Sequence, residues 1–238
     1  MDIIFTIIVF VTAAAVQGAA GFGFGLVAVG LLGSLLPIKD ASVTLVLASL
    51  TLNCFIFYRL RSHFRWDRVL PMIVSTLVGV PLGVWILVAA SEVLLHRLLG
   101  VVLLVTVVQN FLPGIGDKRW HPVGLGVPCG LFSGALAGAF ATGGPPAVAY
   151  VSSQHFTRFR YSATLQLALG TSAVMRILCL GVSGQFTPRI LLLSGLGIVC
   201  AIVGAWIGLH CLKWLSDEHL KKVVLAVLFV LGLKYLFL

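Results

Sequence analysis

Two glycine clusters, QGAAGFGFG at Gln17–Gly25 and AGAFATGGPPAVAY at Ala137–Tyr150, interrupt long apolar runs. Outward from them, the apolar regions extend over about 2–37 and 122–153. At 1.5 Å per residue, each is too long for one helix through a hydrocarbon core ~30 Å thick and short for two full crossings. Two shorter helices meeting inside the membrane fit the length. As a re-entrant hairpin or as two tilted crossings, each region returns the chain to its starting side. Full-length spans fit the remaining apolar runs at about 42–58, 69–90, 93–112, 162–182, 189–209 and 219–237.

The composition supports this reading. Of 238 residues 60% are hydrophobic and only 10% charged, against roughly a quarter charged in a soluble domain. A soluble fold of this size has too little interior to hide so much apolar surface. A soluble enzyme, a disordered chain and a nucleic-acid binder are excluded. What remains is an all-α polytopic protein of the cell membrane, with the lipid bilayer as its first partner. The net charge of +9 reads as basic cytosolic loops beside anionic lipid. If both broken regions return, eleven Lys and Arg between Arg59 and Lys222 lie inside, and Lys39, Arg97, Arg189 and Lys234 outside. If each broken region crossed once, the same loops would split 8 to 7. The positive-inside bias favours the first arrangement, with both termini outside. The first apolar run has no Lys or Arg before it and does not read as a cleaved signal peptide. The five cysteines form no metal-ligand spacing, so no metal or other cofactor is expected and they read as small packing residues.

The two halves resemble each other. Ser42–Thr51 (SVTLVLASLT) matches Ser162–Thr171 (SATLQLALGT) at six of ten positions, an offset of 120. Gly18, Ala19 and Gly23 keep that offset to Gly138, Ala139 and Gly143. Gly83–Ile86 (GVWI) matches Gly204–Ile207 (GAWI) at 121, and Ser91-Glu92 matches Ser216-Asp217 at 125. The expected organisation is a first membrane repeat over 1–112, a cytoplasmic linker over 113–121 and a second repeat over 122–238. Each repeat holds one returning region and three crossings. An odd number of crossings makes the repeats inverted, about a pseudo-twofold axis in the membrane plane. Such architectures place a substrate site near mid-membrane, where broken helices meet. Asp40, Asp67, Ser91 and Ser216 stand where helix N-caps are needed, and Glu92, Asp217 and Glu218 suit first turns.

Glycine permits backbone shapes closed to other residues and close approach of a ligand. Pro145 and Pro146 suit the first turn of a helix, with Thr142 as its cap and Gly143 and Gly144 at the turn. The segment after each break then begins as a half-helix whose free N–H groups and positive dipole end suit an anion. Small-residue helix packing is the competing reading of the same glycines.

The glycine-rich break in the first helix region, the GGPP break about 120 residues on and the duplicated half resemble the TauE/SafE sulfite exporter family, also called 4-toluene sulfonate uptake permeases. The resemblance covers nearly the whole chain. It implies a multi-pass permease for sulfite, organosulfonates or related small anions. The family's breaks map onto Gly21, Gly23 and Gly25, and onto Gly143, Gly144 and Pro145. Phe22 and Phe24 alternate with glycine where family members often have a more continuous run, which narrows the pocket or alters its selectivity.

All seven carboxylates lie in loops, termini or helix ends, so no proton relay of acids crosses the membrane. Arg176 is the one deeply placed charge. An unpaired intramembrane Arg costs about 2.5–3.5 kcal/mol on insertion scales. Either a bound anion offsets this or the side chain snorkels to the headgroups. Its counterpart at offset 120 is Ile56, so Arg176 breaks the pseudo-symmetry. Gln166 replaces Val46, Asn53 stands opposite Ala173, and Gln17 lies at the first break; each suits either substrate or a helix bridge. Thr44 and Thr164 are expected to back-bond to their own helices. His210 is the histidine to test for proton coupling, and Trp85 and Trp206 read as packing or interface anchors.

The reading is a secondary transporter of a small sulfur-containing anion, working by alternating access. Gly21, Gly23, Gly25, Asn53, Thr142, Gly143, Gly144, Gln166 and Arg176 would bind substrate, and Gln17, Phe22, Phe24, Pro145 and Pro146 would shape the site. A passive anion channel is the alternative. An intramembrane enzyme would need a nucleophile–base pair, a metal motif or clustered acids, and none occurs. The oligomeric state, including a homo-oligomer, is left open.

Overall fold

A computed structural model describes residues 3–66, 68–111, 122–211 and 217–237. The linker 113–121, Asp67, Ser216 and the side chains of His210, Cys211, Asp217 and Glu218 lie outside the described set. Inside lipid a backbone must satisfy its own N–H and C=O groups, so apolar runs become helices. The chain forms α1 (Ile3–Ala20), α2 (Phe24–Leu32), α3 (Ile38–Leu60), α4 (Leu70–Ala89), α5 (Glu92–Phe111), α6 (Pro122–Phe140), α7 (Gly144–Ser153), α8 (Arg158–Val182), α9 (Pro188–Cys211) and α10 (Asp217–Phe237). A 3₁₀ turn, Arg61–His63, follows α3. Among the described residues five stretches, at α3, α4, α5, α8 and α9, are long and apolar enough to cross a membrane. The protein is an all-α polytopic membrane protein. The sixth expected crossing forms α10, 21 residues long and packed on α5.

Both expected breaks are present, but the pieces are uneven. α1 and α6 have 18 and 19 residues, α2 and α7 only 9 and 10. By rise per residue the first pair measures about 27–29 Å and the second about 14–15 Å. Each region is thus one long helix followed by a half-helix.

Glycine lets four of the helices pack backbone to backbone. α4 lies on α6 and α1 lies on α9. A Cβ on Gly79 would stand 2.2 Å from the Leu131 carbonyl oxygen, and one on Gly83 2.0 Å from that of Ala135. At the other contact, Gly204 would meet Val11 O at 2.4 Å and Gly208 would meet Ala15 O at 2.3 Å. The two contacts correspond residue by residue: 131 − 11 and 135 − 15 give 120, and 204 − 79 and 208 − 83 give 125. This corrects the GVWI/GAWI match at 121. In the packing, Gly204 answers Gly79, one helical turn from Gly83. Trp85 and Trp206 are accordingly not packing counterparts, and both are exposed on the helix exterior.

The caps also differ from expectation in one place. Ser91 Oγ accepts from Leu94 N at 3.3 Å and caps α5 as expected. Asp40, however, lies within the first turn of α3, whose N-cap is Pro37. Glu92 supplies the missing acceptors from α5, taking Ile38 N at 3.0 Å and Lys39 N at 3.4 Å. Four cysteines are described and all are free, with Cys200 buried and Cys54 exposed. No group of three or more potential metal ligands occurs among the described residues.

Candidate functional site

The two breaks touch. α1 ends at Ala20, Gly21 and Gly23 take φ of 82° and 111°, and α2 starts at Phe24. These left-handed values are open to glycine and strained for other residues. In the second break the left-handed residue is Ala141, φ 59°, while Gly143 is right-handed at φ −64°. Gly143 therefore does not repeat the backbone role of Gly23; it is small because Ser133 and Ala137 of α6 crowd it, a Cβ there meeting Ser133 O at 2.7 Å. Gly25 is small because Ala141 O would lie 1.8 Å from its Cβ. That contact seats the first turn of α2 directly on the second break.

A cavity of about 30 Å³ lies between the breaks, with room for about two water molecules. Its wall contains residues at an offset of 120 from one another: Gln17 and Ala137, Gly23 and Gly143, Phe24 and Gly144, Ser49 and Leu169, Asn53 and Ala173. The backbone positions repeat; the chemistry does not. Arg176, Thr142, Gly25, Leu26, Ala141 and Ser172 complete the wall. Of the residues expected to bind, Gly23, Gly25, Asn53, Thr142, Gly143, Gly144 and Arg176 line the cavity, and Gln17 and Phe24 join them. Gly21, Gln166, Phe22, Pro145 and Pro146 are not part of the wall. Ser49, Leu169 and Ser172 were not expected. Helical spacing points to the two serines, since Ser49 is one turn before Asn53 and Ser172 one turn before Arg176.

Arg176 is only 1% exposed, which rules out snorkelling. Its Nε donates to Gly138 O at 3.0 Å, and its Nη2 donates to Ser42 Oγ. Ser42 Oγ in turn donates to Ala139 O at 2.7 Å. The guanidinium therefore sits at the last turn of α6, where free carbonyls and the negative dipole end favour a cation. Its Nη1 is buried and has no hydrogen-bond partner among the described residues. No carboxylate lines the cavity among the described residues.

The remaining wall holds further donors beside apolar side chains. Gly25 and Leu26 lie in the first turn of α2, where N–H groups have no intrahelical acceptor, and no side chain caps that helix at Gly23. Phe24 N is taken by Gln17 Oε1 at 3.3 Å. Asn53 Oδ1 accepts from Gln17 Nε2 at 2.7 Å, and its Nδ2 has no acceptor among the described residues. α7 contributes less than expected. Its N-cap is Gly143, not Thr142, and Thr142 Oγ1 turns back to Leu136 O at 3.4 Å. Pro145 and Pro146 carry no N–H, so Gly144 is the one backbone donor among the first three residues of α7. The backbone and guanidinium donors of the wall therefore lie mainly at α2 and Arg176. Thr44 and Thr164 also depart from expectation: both hydroxyls are buried without a hydrogen-bond partner among the described residues, so neither back-bonds to its own helix.

A cavity where two broken helices meet, with no carboxylate among the described residues of its wall, marks a polytopic membrane protein with a site between its two halves. The sulfite exporter TauE/SafE family model matches residues 6–235, and the chain belongs to that family. It is thereby a membrane transporter and not an enzyme. A protein of Cupriavidus necator described as a probable sulfite/organosulfonate exporter TauE is 24% identical over 222 residues, covering 91% of this chain and 86% of that relative. No solved structure matches.

Proposed function

We propose that the protein carries a small sulfur oxyanion, sulfite or an organosulfonate, through the cavity between the two breaks by alternating access. The observation that carries this reading is Arg176: a fully buried cation with two donors committed to protein and, among the described residues, no acceptor for Nη1. An oxyanion headgroup would take Nη1 together with the N–H groups of Gly25 and Leu26 and Asn53 Nδ2. The apolar side of the wall, Leu26, Leu169, Ala137 and Ala173, would face an organic substituent. The cavity is small for such a ligand, so binding would widen it as the halves move. The exchanged packing of α1 on α9 and α4 on α6 supports two inverted repeats, 1–112 and 122–238, rocking about the shared cavity. The basic loops support both termini outside.

The test is flux into liposomes holding purified protein, with radiolabelled sulfite and a short alkanesulfonate. Saturable uptake and counterflow are expected in the wild type, with loss of both in Arg176→Met. Wild-type uptake that does not saturate would replace the carrier with a channel, and unchanged uptake by the variant would remove Arg176 from the site. Gly143→Leu is a poor probe, because its side chain would strike Ser133 and Ala137 whatever the substrate.

A further inference from the structure

Gln166 was expected in the binding site, and the structure gives it other work. It is fully buried and is not part of the cavity wall. Both ends of its amide are committed: Nε2 donates to Gly21 O at 2.7 Å, and Oε1 accepts from Gln17 Nε2 at 3.1 Å. Gln17 is equally occupied. Its Nε2 also donates to Asn53 Oδ1, and its Oε1 accepts from Phe24 N. Three side chains from α1, α3 and α8 thus close on the first break from three directions. One acts on the carbonyl of a left-handed glycine, one on the first N–H of α2, and one shares its carbonyl oxygen with that network.

The geometry points to Gln17 and Gln166 as positioning residues of the transport site, forming an amide bracket that presets its anion donors. The inference rests on the proposed anion site and adds how that site is held in shape. An isolated Gly-Phe-Gly turn has many accessible conformations, and fixing each residue costs free energy. If this ordering came with substrate, it would weaken binding; a preset turn removes that cost. Gln166 holds Gly21, and Gln17 holds Phe24. Between them they fix the direction of the next two N–H groups, Gly25 and Leu26. Gln17 also fixes the Asn53 amide: with Oδ1 accepting, Nδ2 is the end left for the cavity. Both Gln166 amide atoms already have protein partners, and Gln166 is not part of the cavity wall. The repeat explains why the bracket occurs once. The counterpart of Gln17 is Ala137 and that of Gln166 is Val46, and the second break, with two prolines at its helix start, has little need of an added restraint.

The bracket is tested with Gln166→Met and Gln17→Met, which keep side-chain bulk, and with the double variant. Each is measured by hydrogen exchange of the 21–27 segment in nanodiscs and by sulfite transport kinetics in liposomes. Faster exchange at 21–27 in each single variant is expected. KM should rise about tenfold while the maximal rate stays within twofold, because the donors remain present but lose their preset geometry. The double variant should show about the same KM as either single one, since each breaks the same unit. Unchanged exchange at 21–27, or faster exchange with unchanged KM, overturns the inference. A fall in maximal rate with unchanged KM overturns it as well. If the wild type moves neither sulfite nor alkanesulfonate, the substrate proposal fails separately, and the bracket is judged on exchange alone. If one single variant does not fold, the other decides, since each cuts the Gln17–Gln166 link.

Discussion

Replacing Arg176 by Met removes the cation and keeps much of the volume. On the stability side, two hydrogen bonds from a charged donor are lost, to Gly138 O and Ser42 Oγ, each worth about 1.5–3 kcal/mol. Against that, the insertion penalty of a buried Arg, about 2.5–3.5 kcal/mol, disappears. The terms largely offset, and the net destabilisation is about 0–3 kcal/mol. Ser42 keeps its own bond to Ala139 O, so one carbonyl at the α6 end is left unsatisfied. Function should respond far more. Truncating one member of a buried, hydrogen-bonded charge pair costs about 2–5 kcal/mol of binding, or a factor of about 30 to several thousand in affinity. Sulfite uptake at concentrations below the wild-type KM should therefore fall at least about 30-fold while the protein still purifies as a folded species. Arg176→Lys should lie between, because an ammonium keeps the charge but lacks the planar fork that reaches two acceptors at once. The assay is initial-rate uptake over a range of sulfite concentrations, with melting in detergent as the folding control. A folded Arg176→Met with uptake within twofold of wild type would refute the reasoning.

Three further outcomes follow from the packing. Gly25→Ala should cost much stability and expression, because its Cβ would collide with Ala141 O at 1.8 Å; Gly195→Ala, with nothing within 4 Å, should melt at or slightly above the wild-type temperature, since Ala favours helix by about 1 kcal/mol. In bilayers with brominated lipid, Trp85 and Trp206, 69% and 54% exposed, should both be quenched, and Trp85→Leu and Trp206→Leu should leave uptake unchanged. Glu92→Gln should lower the melting temperature by a few degrees, because the carboxylate that caps Ile38 and Lys39 at the start of α3 loses its charge; an unchanged melt would show that cap to be idle.

The breaks were legible because Gly21, Gly23 and the GGPP run are local signals with few other uses inside an apolar segment. Arg176 was legible as a charge that needed a reason, but its partners were not. Gly138 and Ser42 lie 38 and 134 residues away, and only the packed fold brings the last turn of α6 under the guanidinium. The slip at α4 and α9 has a physical cause too. Gly79 and Gly83, like Gly204 and Gly208, recur at one-turn spacing, so likeness alone cannot tell one register from the next. Gln166 could be singled out as a polar residue on an apolar helix. Its two hydrogen bonds, one to a backbone carbonyl and one to a second glutamine, depend on long-range placement that residue type does not encode. The same holds for Thr44 and Thr164, whose hydroxyls have the sequence of back-bonding residues and the geometry of unpartnered ones.

The central claim is that a sulfur oxyanion is held where the first turn of α2 meets Arg176. Selenite, the heavier analogue of sulfite, tests it most directly, located by its anomalous scattering in crystals of the protein. One strong peak is expected in the cavity, at hydrogen-bonding range of about 3 Å between its oxygens and both Arg176 Nη1 and Gly25 N, and no such peak in Arg176→Met. Selenium bound elsewhere in the protein, or at the same place in the variant, would contradict it.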